Sequence, residues 1–414
     1  MRIERSICLS VLLLLTGGCS GGLAQQQPRH QPQQQQQQAV PAVIQVLQGE
    51  LTFGFELLRQ VRSQEPPGAN VFISPASVAM ALGMAYNGAA GETGAAMRET
   101  LALGQLTPAE VGAAYRLLMD RLLGLDPAVE FRPANSIWYR EGLEVRPEFL
   151  ATNRRDYDAE IAALDFDSPE AAPTINRWVA ERTNGLIDKI VEPPIDALMM
   201  LYLINAIYFK GQWTDPFQPE LTAPRRFRLA DGTTKRVPTM AFADPRPVAY
   251  YRGSGVEALE LTYGDSSFVM TIVMPDEPGG IGELVESLTR ERWEAIVRGL
   301  GMSSFEVYMP KFKMEYEITL NDALQAMGMG VAFDPGAADF SGIGRGPQPL
   351  YISEVKHKTY VDVNEEGTEA AAVTGVGVRV TSVPPRIAVD RPFVFAIRER
   401  DSRLILFLGV MMEP

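Results

Sequence analysis

Few residues in this chain have the types and spacing that catalytic chemistry requires. The 414 residues include only two histidines, and one of them, His30, lies in a glutamine-rich tract. A Ser-His-Asp site would have to use the other, His357, but no Gly-x-Ser-x-Gly turn is present to expose a nucleophilic serine. Two histidines placed in this way also exclude a histidine-built zinc site. These residues therefore predict neither a serine hydrolase nor a zinc enzyme.

Two further motifs can be set aside because of their surroundings. Ser353 and Lys356 match the Ser-x-x-Lys of penicillin-binding enzymes, but that motif works on a helix, and here it leads into an alternating strand without its partner motifs. The Gly-rich run 342–346 is preceded by no strand and followed by no helix, so it is not a dinucleotide loop. With 51 acidic residues, carboxylate pairs are expected by chance and are assigned to the surface. We therefore expect that the chain is not an enzyme and that it has no cofactor and no metal.

The charge balance limits the partners. The formal net charge is −13 and the isoelectric point is near 4.9, which argues against nucleic acid or heparin as a partner. The one short basic run, Arg225–Arg228, is expected to be a solvated strand edge. The amount of apolar sequence, 46% of the residues, is enough for a large core.

The N-terminal residues are typical of a targeting segment. Arg2 and Arg5 precede an apolar run that is too short to span a membrane, and Gly17-Gly18-Cys19 follows. Small residues directly before a cysteine resemble the lipobox of bacterial lipoproteins. We therefore predict a signal peptide over residues 1–18 and lipid attachment at Cys19; the alternative is a plain secretory signal cut near Ala24.

The mature chain would then be tethered to a membrane. A Gln/Pro-rich tract is too polar to fold alone, so residues 19–40 are predicted to be a disordered tether. Because Cys8 leaves with the signal, Cys19 is the only cysteine left and no disulfide can form within one molecule. We therefore expect the chain to be secreted across the inner membrane and lipid-anchored at the outer membrane, facing the periplasm or the cell surface.

The stretch 365–381 is the most informative part of the sequence. With a period of two, small or β-branched uncharged residues fall on one face, and the charges of Glu369 and Arg379 fall on the other. The uncharged face consists of Thr368, Ala370, Ala372, Thr374, Val376, Val378 and Val380. Three glycines would leave the same stretch mobile if nothing held it. It is therefore either an ordinary Gly-rich strand or a switch between loop and central strand.

The remaining pattern predicts an α+β fold, with helices first and strands later. Ser74 and Pro75 mark a helix start. Other helices are expected around Val43–Leu58 and around Ile175–Val179, the latter ending near Asn184-Gly185. Strands are expected over Ala197–Phe209 (buried on both faces), Ser267–Met274, Phe305–Lys313, Val355–Val363 (half-buried) and, as a hairpin, Phe393–Ile397 with Leu404–Val410.

Several long motifs follow one another along the chain. They are Asn70-Val-Phe-Ile-Ser-Pro-Ala-Ser-Val-Ala79, Leu203-Ile-Asn-Ala-Ile-Tyr-Phe-Lys-Gly-Gln-Trp213, Met309-Pro-Lys-Phe-Lys313, Phe340-Ser-Gly-Ile343, Arg391-Pro-Phe-Val-Phe-Ala-Ile397 and Leu406-Phe-Leu-Gly-Val410. Together they resemble the serpin family, and the resemblance extends from about Val43 to Pro414. The stretch Glu365–Val373 is similar to the hinge of the inhibitory members.

The resemblance implies an architecture and a set of site residues. The serpin fold has three β-sheets, about eight or nine helices and an exposed reactive-centre loop, here about residues 365–385 of one domain spanning 41–414. Three groups of residues are implied: a shutter beneath the opening sheet, a breach where the loop first enters, and a hinge that inserts. The shutter is Ser74, Ser77, Asn205 and His357; the breach is Trp213, Lys311 and Glu365; the hinge is Glu365, Gly367, Thr368, Ala370, Ala371 and Ala372. A Lys311–Glu365 ion pair at an exposed rim would hold the hinge shut.

The resemblance also implies the activity. A monomeric, metastable inhibitor would form a covalent complex with a serine protease after loop cleavage between Thr381 and Ser382, a bond obtained by counting from both ends of the loop. Small residues there suit an elastase-like or subtilisin-like pocket. The alternatives are bait at Val380 or Arg379 (the latter for a trypsin-like protease), a cysteine protease as the target, and a non-inhibitory serpin that acts as a binding module.

Overall fold

The computed structural model describes residues 31–368 and 385–414, with side chains described from residue 40 onward. The chain divides into a short unit, residues 1–38, and a large unit, residues 39–414. Within the described ranges, no helix combines the length and hydropathy that crossing a bilayer requires.

The helices are distributed over most of the chain. They are α1 (Gln31–Gln64), α2 (Pro75–Tyr86), α3 (Gly91–Thr100), α4 (Pro108–Leu122), α5 (Pro147–Tyr157), α6 (Ala171–Arg182), α7 (Ile281–Ser287), α8 (Arg290–Gly299), α9 (Asn321–Leu324) and α10 (Gly330–Phe333). A π-helical turn joins α9 to α10, with Gly328 at φ 107°, so these two form one interrupted helix. Counted in this way, the described residues contain nine helices, within the predicted range.

The strands form three sheets among the described residues. They are β1 (Val71–Ile73), β2 (Val129–Arg140), β3 (Glu144–Val145), β4 (Glu160–Leu164), β5 (Leu201–Gln212), β6 (Ala223–Arg228), β7 (Thr234–Ala241), β8 (Arg246–Gly253), β9 (Val256–Tyr263), β10 (Phe268–Pro275), β11 (Gly301–Pro310), β12 (Phe312–Thr319), β13 (Gly344–Arg345), β14 (Lys356–Val363), β15 (Gly367–Thr368), β16 (Arg386–Ala388), β17 (Phe393–Glu399) and β18 (Ile405–Met411).

Strand order defines which sheet carries the site. The central sheet has the order β12-β14-β15-β5-β2-β4, and a ten-stranded sheet has the order β1-β18-β17-β10-β9-β8-β11-β7-β6 with β16 added on β11. The third sheet pairs β13 with β3. The predicted α+β class with three sheets is therefore confirmed.

Two apolar clusters lie on opposite faces of the central sheet. Ile207 and Phe209 of β5 belong to the main core, which also contains α1, α2 and the β17–β18 hairpin. Ile204 of the same strand belongs to a second cluster with Trp178 of α6. Because successive side chains of a strand point to opposite faces, β5 is covered on one side by α2 and on the other by α6.

Several local predictions are confirmed, and two need correction. The Ser74 hydroxyl caps α2, α6 ends at Arg182, and β14 alternates as predicted. The predicted strand Phe305–Lys313 is wrong as a single element, because the chain changes sheets at Lys311, between β11 and β12. The strand predicted from Ala197 begins only at Leu201.

The start of α1 also differs from the expectation of a disordered tether. The helix begins at Gln31, inside the Gln/Pro-rich tract. Glutamine has a good intrinsic helix propensity, and the tract continues without a break into a segment that packs in the core, so helix can propagate backward from that segment.

Candidate functional site

The residues implied as the shutter come together between α2 and the central sheet. His357 is buried on the inner face of β14 and accepts a hydrogen bond at Nε2 from the Ser74 backbone N–H, at 2.9 Å. Since Nε2 accepts, the neutral ring carries its proton on Nδ1. Burial lowers the pKa of His357 to about 4, which keeps the ring uncharged at neutral pH.

Hydroxyl groups at the start of α2 extend this cluster to two other elements. The Ser74 hydroxyl donates to the Leu406 carbonyl at 2.6 Å and accepts the Ser77 N–H as the helix cap. The Ser77 hydroxyl donates to the Asn205 carbonyl at 3.1 Å. The first turn of α2 is thus hydrogen-bonded to β5, β14 and β18 at once.

Asn205 brings in a residue that the sequence analysis missed. Its amide nitrogen donates to Oδ1 of Asn135, which lies directly opposite on β2. Its own Oδ1 is buried and has no hydrogen-bond partner among the described residues. The sequence gives no distinct signal for Asn135, because β2 carries several polar residues and Asn135 joins the site only through its partner on β5. A buried acceptor without a partner is unusual and costly.

Strands β5 and β14 flank a slot, which we define as the space between them on the Leu201–Lys356 side of β15. In the described part of the chain these strands are joined only through the two residues of β15. The slot contains a cavity of about 90 Å³ lined by Asn205, His357 and α2, and a smaller one of about 20 Å³ nearer β15. Residues 183–198, which follow α6, line the slot from the opposite side to α2.

One ion pair spans the slot on that outer side. Lys358 of β14 is 3.5 Å from Asp188 in the segment after α6, and 2.9 Å from Glu315 of β12. The segment after α6 is itself fixed to α6 through the Asn176 side chain, which bonds Ile190 and Val191. Asp188 therefore links the α6 side of the slot to its β14 side.

The residues implied as the breach meet where β15 begins. Glu365 pairs with Lys311 at 2.8 Å and accepts the Thr222 hydroxyl at 2.8 Å. Burial raises the pKa of Glu365, but the hydrogen bonds from Lys311 and Thr222 outweigh it, so the net pKa lies below its usual value. The ion pair was expected to lie at an exposed rim, but only Lys311 is exposed, because Glu365 is 8% exposed.

Trp213 holds the same segment through its backbone and its ring. Its N–H donates to the Glu366 carbonyl and its indole N–H to the Asn364 carbonyl, at 2.8 and 2.9 Å. The ring stacks on Tyr263 with centroids 4.4 Å apart. Tyr263 and Thr222 were missed by the sequence analysis, because only the fold brings their strands to this place.

The hinge begins inside the sheet. Thr368 is 4% exposed and its hydroxyl lies 2.8 Å from that of Tyr263. Gly367 has φ 153°, and a β-carbon there would lie 2.1 Å from the Gly211 carbonyl oxygen, so only glycine fits. The other implied residues lie outside the described ranges: Cys19, Ala370, Ala371, Ala372, Arg379, Val380, Thr381 and Ser382.

Comparison with known proteins identifies relatives over most of the chain. A family model described as Serpin (serine protease inhibitor) matches residues 48–414. The chain is 35% identical to the leukocyte elastase inhibitor of Bos taurus, covering 89% of this chain and 100% of the relative. It is 33% identical to Serpin B8 of Homo sapiens, covering 88% and 98%. The solved structure of the thermophilic serpin Tengpin in the native state aligns with a TM-score of 0.81 at 31% identity, covering 89% and 94%.

These relatives change two statements made from the sequence. Coming from cow and human, they do not support the bacterial lipoprotein-type subclass. The expectation that the chain is not an enzyme must be corrected in one respect: the lack of catalytic motifs does not establish it. The inhibitor names of relatives are compatible with that expectation and support it only weakly.

The depressed pKa of His357 predicts a loss of stability in acid. Between pH ~6.5 and ~4 the unfolded chain binds a proton that the folded chain excludes, so the free energy of unfolding falls as the pH falls, by up to about 3 kcal/mol. Urea unfolding of the wild type and of His357→Gln at pH 7.5 and pH ~4.5 measures this. The variant is expected to show the smaller decrease. His30 is present in both proteins and cancels, so equal decreases would contradict the assignment.

Proposed function

The chain belongs to the serpin family, and from this premise we propose that it inhibits serine proteases as a suicide substrate. The protease's serine Oγ attacks the Thr381 carbonyl, an ester forms, and the amine of Ser382 leaves with a proton. The freed hinge then inserts into the slot and carries the protease away before water can hydrolyse the ester. The observation that most supports this mechanism is the pairing of Gly367 and Thr368 with both β14 and β5.

The pairing register of β15 extends naturally along the slot. Thr368 lies opposite Val363 on β14 and Gly211 on β5, both antiparallel. Each further residue of an inserted strand would lie one position further back on both neighbours. Continued by six residues, this register puts Thr374 opposite His357 and Asn205.

The side chain at that position suits what the slot lacks. Thr374 shares its face with Thr368, which is the inward face, because they are six residues apart. Its hydroxyl would arrive beside Asn205, whose Oδ1 is buried and is bonded by no residue in the described part of the chain. Filling an empty acceptor recovers the cost of its burial, ~1–3 kcal/mol for a neutral group. The threonine thus matches the slot in both register and chemistry.

The opposite face of the segment suits the outer side of the slot. Gly375 and Gly377 would fall opposite Ile204 and Tyr202 of β5, where the segment after α6 lies close over the sheet. A glycine adds no side chain there, so the strand could pass beneath that segment. This supports insertion of a strand rather than docking of a bulkier element.

The energy available is sufficient for the mechanism. About 14 inserted residues, at ~0.5–1.5 kcal/mol net for each backbone hydrogen bond, give on the order of 10 kcal/mol. A typical protease domain is stable by only ~5–15 kcal/mol, so pulling its active site out of shape is feasible. The uninserted form must be kinetically trapped for this energy to remain available.

The target class follows from the bait residues and from the relatives. Thr381, preceded by Val378 and Val380 on either side of Arg379, suits a shallow pocket of the elastase or subtilisin type. A relative that is 35% identical is named leukocyte elastase inhibitor, which supports the elastase-like alternative. Cleavage after Arg379 by a trypsin-like protease would shorten the insertable strand by two residues.

Incubation with elastase-like and subtilisin-like serine proteases tests the function. We expect a complex that survives a denaturing gel, with a mass near the sum of the two proteins, and a released peptide that begins at Ser382 by mass spectrometry. Protease with its serine blocked is the control and should give no complex. Cleavage without any complex would instead favour a non-inhibitory binding module.

Two adjacent arginine substitutions test insertion. Thr368→Arg would put a charge into the buried position beside Tyr263, so the variant should be cleaved as a substrate. The number of inhibitor molecules needed to inactivate one protease molecule should then rise on the order of tenfold or more. Glu369→Arg, on the other face, is the matched control and should remain an inhibitor. Titration of protease activity gives both values. Equal behaviour of the two variants would argue against insertion.

We also propose that the chain is secreted and lipid-anchored through Cys19. The basic and apolar residues before Gly17-Gly18-Cys19 support this. Cells that express the chain should incorporate radiolabelled fatty acid into it, and Cys19→Ser should abolish the label while keeping inhibition. A labelled Cys19→Ser protein, or an unlabelled wild type, would refute the anchor.

A further inference from the structure

The hairpin β6–β7 is strongly positive on an otherwise acidic chain. Residues 223–241 hold five cationic side chains and one acidic one, Asp231, a net charge of +4 where the whole chain has −13. The cations are Arg225, Arg226, Arg228, Lys235 and Arg236. The hairpin lies at the edge of the ten-stranded sheet, with β6 outermost.

Three of these five cations already have partners. The Arg225 guanidinium lies 4.2 Å from the centre of the Tyr308 ring. Arg228 pairs with Asp390 at 3.3 Å, and Lys235 pairs with Glu413. Each of these three cations therefore already interacts with a neighbouring side chain of the fold.

Arg226 and Arg236 are different, and we call them the arginine pair. They lie directly opposite each other across the antiparallel ladder, on the face away from the buried Phe227 and Val237. Both are exposed, and neither forms an ion pair or side-chain hydrogen bond with any described residue. Like charges at directly opposed positions of a ladder destabilise it. Across residues 40–368 and 385–414, no acidic side chain pairs with either guanidinium to offset this repulsion.

The chain that follows the proposed cleavage bond is hydrogen-bonded first to β11 and then to this hairpin. Pro385 accepts the Glu306 N–H as the chain returns to β11, and the Asp390 carbonyl then accepts the Arg228 N–H of β6, at 2.7 Å. Ser382 is three residues before Pro385, which is at most ~10–11 Å of chain. A protease domain of ~230 residues has a radius of gyration of ~17 Å, hence a diameter of ~45 Å. A protease bound at that bond would cover part of β6–β7.

We infer that the arginine pair is a docking surface for a protease whose surface beside its catalytic cleft is acidic. This inference rests on the proposed function and adds a partner property to it. Acidic side chains of the protease would separate and neutralise the two guanidinium groups, so the repulsion is relieved only in the encounter complex. Such charges act mainly on the association rate.

A polyanion fits the same surface less well. A polyanion is bound by many cationic side chains at once, whereas only two cations of this hairpin lack partners among the described residues and the chain as a whole is acidic. The geometry therefore favours a compact acidic patch on a folded partner.

Association kinetics with proteases of known surface charge test this inference. The double variant Arg226→Glu/Arg236→Glu is compared with the wild type and with Arg154→Glu/Arg298→Glu, a matched pair of exposed arginines on α5 and α8. With an acidic serine protease at about 25 mM NaCl, we expect the second-order inhibition rate constant to fall about tenfold in the first variant only, and the difference to shrink at about 500 mM. With a basic serine protease, the same variant should react faster than the wild type. The covalent complex should form in all three proteins.

Three outcomes would overturn the inference. They are equal rates for wild type and double variant with the acidic protease, an equal fall in the α5/α8 control, and wild-type retention on a heparin matrix at physiological salt that the double variant loses. Complete absence of a covalent complex in the wild type would instead refute the proposed function.

The single variant Arg236→Glu adds a separate check, since removing the repulsion should leave the melting temperature at or above that of the wild type. A lower melting temperature would contradict the claim that the pair is destabilising.

Discussion

The rest of the structure depends on two neighbouring strands of the central sheet, β5 and β14, which form no direct ladder with each other where the chain is described. In the described residues, β5 and β14 are linked through Gly367 and Thr368 alone. Backbone groups in a sheet interior normally find partners, because burying them without one is costly. A sheet with such a gap is under-bonded, and its free energy falls if another strand fills the gap. That deficit is one source of energy for the insertion that we propose.

The shutter shows how an open sheet can persist. Ser77 donates to the Asn205 carbonyl of β5 and His357 of β14 accepts the Ser74 N–H, so α2 is hydrogen-bonded to both strands that flank the slot. All these groups are neutral, since burial keeps His357 uncharged. A charged cluster would bind more rigidly and would be costly to desolvate if rearranged. Neutral hydrogen bonds of ~1 kcal/mol each can be exchanged one by one.

Local sequence signals were sufficient to predict individual helices and strands. They were insufficient to predict which elements contact each other. The Ser74–Pro75 helix start, the alternation of β14 and the C-terminal hairpin follow from caps and periodicity, and all are confirmed. The change of sheet at Lys311 was missed, because an apolar alternating run gives no sign of which sheet each half joins. Thr222, Tyr263 and Asn135 were missed for the same reason: each becomes part of the site only through a partner far away in the chain. The shutter and breach residues were named only through family resemblance.

The start of the hinge is held mainly by hydrogen bonds and less by the ion pair that the sequence suggested. Lys311 is 44% exposed in its side chain, so its pair with Glu365 contributes under ~1 kcal/mol. Two hydrogen bonds from Trp213, one from Thr222 and the Thr368–Tyr263 contact act on the same five residues. At ~0.5–1.5 kcal/mol each, these four outweigh the ion pair several-fold. Their effect is to fix the first two residues of β15 between its neighbours. In the insertion that we propose, further strand growth would start from this existing register, so the costly first step of pairing would already be complete before cleavage.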